Sequence, residues 1–132
     1  MESLITGVHH VAIICSNYRR SKHFYHEILG FQIVTENYRA ERKSWKCDLL
    51  TPDGTQIELF SFPDPPSRPS EPEAQGLRHL AFSVPDIETM INYLAEYDVR
   101  CEHIRVDPYT QKRFTFFSDP DALPLELYEL PL

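Results

Sequence analysis

A chain of 132 residues is long enough for one domain with its own core, and 42% apolar and 25% charged residues suit a globular protein. The net charge of −7, with no basic cluster, weighs against nonspecific nucleic-acid binding and anionic membrane surfaces. No apolar run is long enough to span a bilayer, and Met1 to Gly7 has neither a charged n-region nor a long apolar h-region, so no signal peptide is expected. Cys15, Cys47 and Cys101 are widely spaced and odd in number, which predicts reduced thiols in a cytoplasmic protein.

The first predicted element is a strand around Val8-His9-His10-Val11-Ala12-Ile13. Strand side chains alternate between faces, so Val11, Ile13 and Cys15 share one face and His10, Ala12 and Ile14 the other. Asn17 is a good helix N-cap, because its side chain accepts a backbone N–H that the first turn leaves free. Tyr18, Ser21, Phe24, Tyr25, Ile28 and Leu29 then recur at helical spacing, and Gly30 suits the C-terminus. Three strands are expected next, over roughly 31–38, 44–51 and 55–61; in the last, Glu58 stands between Ile57 and Leu59. Pro63, Pro65, Pro66, Pro69 and Pro72 then remove backbone donors, and residues 63–75 read as a linker. After it the same elements recur. A strand around Gly76-Leu77-Arg78-His79-Leu80-Ala81-Phe82 sets His79, Ala81 and Ser83 opposite Leu80, Phe82 and Val84. Asp86 caps a helix striped by Ile87, Met90, Ile91, Leu94 and Tyr97, which ends at Asp98. Strands over roughly 100–105, 113–118 and 123–129 follow, the last with Glu126 between Leu125 and Leu127.

The chain therefore repeats itself. Gly7-Val8-His9-His10-Val11-Ala12-Ile13 matches Gly76-Leu77-Arg78-His79-Leu80-Ala81-Phe82, and the Pro-Asp turn with its Glu58 strand matches the Pro-Asp turn with its Glu126 strand. Both pairs of segments are offset by nearly the same distance, in the same order. The expected fold is α+β, with tandem βαβββ modules at 7–62 and 76–130 in a single domain.

An amphipathic helix needs one apolar sheet face to cover. The aliphatic sets supply it, and His10, Glu58, His79 and Glu126 fall on the other face. A lone strand histidine or glutamate is usually a surface residue. Four of them at repeat-related positions, always opposite the aliphatic face, need a different account. Partly buried carboxylates require compensating charge, and two imidazoles with two carboxylates suit a divalent ion: Zn, Ni, Co, Mn or Fe, with Zn or Ni favoured. Four such ligands leave positions for a substrate, as catalytic rather than closed structural sites do. His9 rivals His10 but points with Val11 and Ile13 and has no repeat partner. His23, His26 and His103 also lack one and are expected to face solvent.

These residues resemble the vicinal oxygen chelate superfamily, which includes glyoxalase I, bleomycin- and fosfomycin-resistance proteins and extradiol dioxygenases. The likeness runs from Val8-His9-His10-Val11-Ala12-Ile13 to Leu125-Glu126-Leu127-Tyr128-Glu129. It is nearest to small bacterial glyoxalase I-like proteins, on Ile57 to Pro63 and Arg105 to Phe117. The resemblance implies modules whose strands curl into a half-open barrel around a metal cup, and a metal that chelates adjacent oxygens of a small-molecule substrate. Its ligand pattern maps onto His10, Glu58, His79 and Glu126, with Glu126 as the catalytic proton carrier and Glu58 as its repeat-related partner. It also implies a homodimer in many members. Two positions depart from glyoxalase I: Ile14 and Phe62 replace an Arg and an Asn that grip glutathione. Fosfomycin-resistance enzymes and extradiol dioxygenases use two His and one Glu, so a fourth ligand, Glu58, argues against those chemistries.

The resulting expectation is a divalent-metal glyoxalase-like lyase or isomerase, with Arg105, Tyr109, Lys112 and Arg113 as candidate contacts for a substrate anion. The alternatives are a non-catalytic small-molecule binding or resistance protein and an iron-dependent dioxygenase. Trp45 and Lys46 line the cup or pack a strand, and packing is the expectation.

Overall fold

A computed structural model describes residues 1–132. The chain divides into two compact units, Met1–Pro66 and Ser67–Leu132, and the division falls in the proline-rich stretch. The first unit runs β1 (His10–Cys15), α1 (Tyr18–Lys22) with a π-helical turn (His23–Ile28), β2 (Gln32–Arg39), a 3-10 turn (Ala40–Arg42), β3 (Ser44–Leu50) and β4 (Gln56–Ser61). The second runs β5 (Leu80–Val84), α2 (Ile87–Ala95), β6 (Arg105–Val106), β7 (Arg113–Ser118) and β8 (Pro124–Glu129). Each unit holds one four-stranded mixed sheet, ordered β1-β4-β3-β2 in the first and β5-β8-β7-β6 in the second. Each is thus a βαβββ module, as the repeat predicts, and neither sheet closes into a barrel. No helix is long and apolar enough to cross a membrane.

The alternation read from the sequence sets the core. Ile13, Cys15, Cys47, Leu49, Ile57 and Leu59 are buried in the first unit, and Leu125 and Leu127 in the second. Each fully buried aliphatic side chain contributes roughly 1.5–3 kcal/mol of transfer free energy. The helices over these faces begin at the expected caps. Asn17 Oδ1 accepts from Arg20 N at 3.0 Å, and Asp86 Oδ1 accepts from Glu88 N and Thr89 N at 3.1 and 3.2 Å. Gly30 and Asp98 follow them in the left-handed region, at φ 80° and 60°.

Two details differ from expectation. After Lys22 the first helix widens into a π turn, marked by Leu29 N donating to Phe24 O at 2.9 Å, and Phe24, Tyr25 and Ile28 are all buried there. The strand expected over 100–105 shrinks to Arg105–Val106. Residues before it still run beside β7: Glu102 N donates to Phe116 O at 2.9 Å. The buried Thr115 hydroxyl then donates to Glu102 O at 2.7 Å, so a side chain takes the place of a regular ladder bond.

Candidate metal centre

In both modules the first and last strands lie side by side and parallel. Ala12 pairs with Glu58, and Ala81 with Glu126. His10 and His79 each precede that alanine by two residues, so each histidine sits diagonally from its glutamate on the face away from the helix. The contacts agree. His10 Nδ1 is 3.5 Å from Glu58 Oε2, and His79 Nε2 is 3.1 Å from Glu126 Oε1. The carboxylates are the sheltered members, 14% and 13% exposed against 42% for His10 and 24% for His79.

The donor atoms fit a divalent ion. Ligands about 2.1 Å from a metal at octahedral or tetrahedral angles lie roughly 3.0–3.4 Å from each other; the His79–Glu126 pair, at 3.1 Å, has that separation, and the His10–Glu58 pair, at 3.5 Å, is slightly wider. His79 Nδ1 is buried without a hydrogen-bond partner, so the protein alone leaves this imidazole incompletely satisfied. Neither unit by itself gathers three or more His, Cys, Asp or Glu side chains close enough to hold an ion. Each holds one His–Glu pair.

His9 is closer to the site than strand alternation implies. It lies just before β1, and its Nδ1 is 2.9 Å from His10 Nδ1, so one of the two rings donates to the other. Histidine adjacency in the sequence was the only signal for this contact.

The surroundings of the two pairs differ in chemistry. Asp48 lies opposite Glu58 across β3 and β4, and Lys46 opposite Phe60. Lys46 Nζ is 2.9 Å from Asp48 Oδ1 and 3.9 Å from Glu58 Oε1, and Thr35 Oγ1 donates to Asp48 Oδ2 at 3.0 Å. In the second unit the equivalent places hold Phe116, opposite Glu126, and Phe114, opposite Tyr128. The Phe116 ring meets His79 edge-on at 5.0 Å. The expected packing role suits Trp45, which stacks on Tyr18 at 5.3 Å on the helix side; Lys46 points the other way, to Glu58.

The four candidate substrate contacts separate. Arg105 shares the open face: its guanidinium lies over Phe114 and Phe116, 5.2 and 5.5 Å from the ring centres, and pairs with Glu102 at 2.7 Å. Tyr109 is 94% exposed and Lys112 is exposed, both in the loop before β7. Arg113 is on the helix side with buried Thr115 and Phe117. It donates through Nε to Glu129 Oε1 at 2.9 Å and through Nη2 to Glu129 Oε2 at 2.8 Å. Arg113 therefore faces away from Glu126, because it starts the strand one residue out of step with Phe114.

Ile14 and Phe62 also have defined places. Ile14 is exposed on the His10 face of β1. Phe62 lies near Phe60, with ring centres 6.1 Å apart, and carries arginine guanidinium groups instead of an amide's hydrogen bonds.

Paired βαβββ units, each with a His–Glu pair at the same register, define a recognisable class. Residues 7–127 match the Glyoxalase/Bleomycin resistance protein/Dioxygenase superfamily, and the chain belongs to it. An uncharacterized protein of Escherichia coli (strain K12), YaeR, is 64% identical over 122 residues, covering 92% of this chain and 95% of that protein. The crystal structure of a glyoxalase family protein from Enterococcus faecalis aligns with TM-score 0.90 at 49% identity, covering 96% of this chain and all of that one. A 2-epi-5-epi-valiolone epimerase from an Actinomyces species is 28% identical over 146 residues, covering 95% of this chain and 80% of that protein.

Proposed function

We propose that the protein is a divalent-metal-dependent lyase or isomerase of the glyoxalase type, acting on a small substrate with adjacent oxygens. His10, Glu58, His79 and Glu126 hold one ion, with Zn or Ni favoured. The observation that carries this reading is the repetition of one His–Glu pair, at one register and with donor atoms 3.1–3.5 Å apart, in both units. Bound there, a divalent cation supplies Lewis acidity that makes the C–H beside a carbonyl easier to ionise.

The residues do the rest. A Glu126 carboxylate oxygen takes the proton from that carbon and returns it to the neighbouring one. Phe116, opposite Glu126 in the sheet, packs edge-on against the His79 ring and holds its orientation. Glu58 is the counterpart on the first module, positioned by Lys46. Ile14 and Phe62 offer no hydrogen bonds to a tripeptide carboxylate, so a substrate smaller than a glutathione adduct is the better fit. The name of the Actinomyces relative, an epimerase, favours the isomerase arm.

The test is metal analysis of purified protein, followed by assay of the loaded protein with methylglyoxal and a panel of thiols, and with small hydroxyketones alone. Turnover that follows metal content and falls roughly 10²–10⁴-fold in Glu126→Gln is expected. Protein that retains no metal after incubation with Zn or Ni, yet still binds small ligands, would instead support the sequestering role. Oxygen uptake with iron and a catechol would support the dioxygenase.

A further inference from the structure

The open face of the first unit has a second feature beyond the His–Glu pair. At its β2–β3 end three cations surround two phenyl rings. Arg39 lies 4.8 Å from the Phe60 ring centre and 5.7 Å from that of Phe62, Arg42 lies 5.8 Å from Phe62, and Lys46 lies 6.0 Å from Phe60. The ion pairs of this unit join His10 to Glu58, Lys22 to Glu36, and Lys46 to Asp48 and Glu58, and none reaches Arg39 or Arg42. Arg39 Nη2 donates to the buried Ser44 hydroxyl at 2.9 Å, which fixes the guanidinium, while its Nε is buried without a partner. In a chain of net charge −7 with 20 acidic residues, two neighbouring guanidinium groups without a carboxylate are conspicuous. Stacking on phenyl rings holds such a group in place but leaves its in-plane donors free for an oxyanion.

We propose that Arg39 and Arg42, steadied by Phe60 and Phe62, form a subsite for an anionic group of the substrate, a carboxylate or a phosphate. Phe60 is two residues from Glu58 on the same strand face, a spacing of roughly 7 Å. Resting on Glu58 as a ligand, that span selects a short molecule, with adjacent oxygens at one end and the oxyanion a few atoms away. Lys46, between Glu58 and Phe60, lies along its path.

Calorimetric titration of the metal-loaded protein tests this. Dihydroxyacetone phosphate and 3,4-dihydroxybutyrate serve as charged probes, and dihydroxyacetone as the neutral one. At least one charged probe is expected to bind tenfold or more tighter than the neutral one. The Arg39→Gln/Arg42→Gln variant should lose that margin with metal content and neutral-probe affinity unchanged, and Arg39→Lys should recover part of it. Should the double variant fold poorly, Arg42→Gln alone, altering only an exposed side chain, is expected to show a threefold or greater loss. Charged-probe affinity equal in wild type and variants overturns the subsite, as does a lack of preference for charge. Protein that takes up no Zn or Ni yet still prefers the charged probes through Arg39 would overturn the metal assignment and leave the subsite standing. The two probes separate phosphate from carboxylate recognition.

Discussion

Glu126 and Glu129 are three residues apart on β8, and the pleat sends them to opposite faces. Glu129 is buried among α2 and β7 partners. The Arg113 guanidinium, and then the Ile87 N–H at 2.9 Å, hold its carboxyl down at about 2, against an ordinary 4.5. A depressed carboxyl stabilises the fold fully above its unfolded value, and that contribution is lost as pH falls from about 4.5 toward 2. Thermal melts from pH 6 to pH 2 should therefore show a steep acid loss in the wild type. Glu129→Gln should melt lower at pH 6 and show a shallower loss below pH 4.5; parallel curves would contradict this role. The pair with Arg113 was not legible in the sequence. Alternation was readable in β8, where Leu125 and Leu127 flank Glu126, but nothing local says that Arg113, rather than Phe114, faces the helix or that its partner lies 16 residues on. The same rule separates Trp45 from Lys46. Adjacent residues go to opposite faces, so one packs on Tyr18 while its neighbour reaches Glu58.

At the level of elements, caps and turns were the most readable features, because they depend on single side chains. Asp86 satisfies two first-turn N–H groups of α2. Asp86→Ala should cost about 1 kcal/mol, measurable as a lower midpoint in urea at unchanged slope. The two Pro-Asp turns are also structural copies. Gly54 N donates to Thr51 O and Ala122 N to Asp119 O, both at 3.0 Å, with φ 92° and 67°. Where the first turn has glycine, the second puts a Cβ into the left-handed region, at a cost of roughly 1–2 kcal/mol. Glycine's greater unfolded-state entropy returns about 0.5–1 kcal/mol of that. Ala122→Gly should thus stabilise by roughly 0.5 kcal/mol in the same denaturation measurement, and a clear destabilisation would show that the methyl group packs. The shortened β6 was not readable, since Thr115, distant in sequence, replaces a ladder bond for Glu102. The π turn was not readable either, because Phe24, Tyr25 and Ile28 share one face of an ordinary α-helix too.

For the whole molecule the decisive feature is duplication. It made the His–Glu pairs legible, because two copies of one pattern carry information that a single strand does not. Divergence between the copies hid the rest: Asp48 and Lys46 in one module correspond to Phe116 and Phe114 in the other, and no repeat argument predicts which side chain each copy keeps. Two donors per unit also make a quantitative claim. If the four residues share one ion, the protein binds one ion per chain, and His10→Ala and His79→Ala each remove one of the four protein ligands of the same shell. The second deletion should then add little to the loss of affinity caused by the first, because coupled groups are not additive. Metal at a hundredfold excess over its dissociation constant should stabilise by about 2.7 kcal/mol, a rise of roughly 10 °C in melting temperature for a chain of this length. Chelator should reverse it. Two separate half-sites would behave differently: they would take two ions per chain, each would be lost independently, and His79→Ala would leave the ion at His10 and Glu58 in place. Metal titrations of the wild type, the two single variants and the double variant, read by stoichiometry and melting temperature together, distinguish these cases.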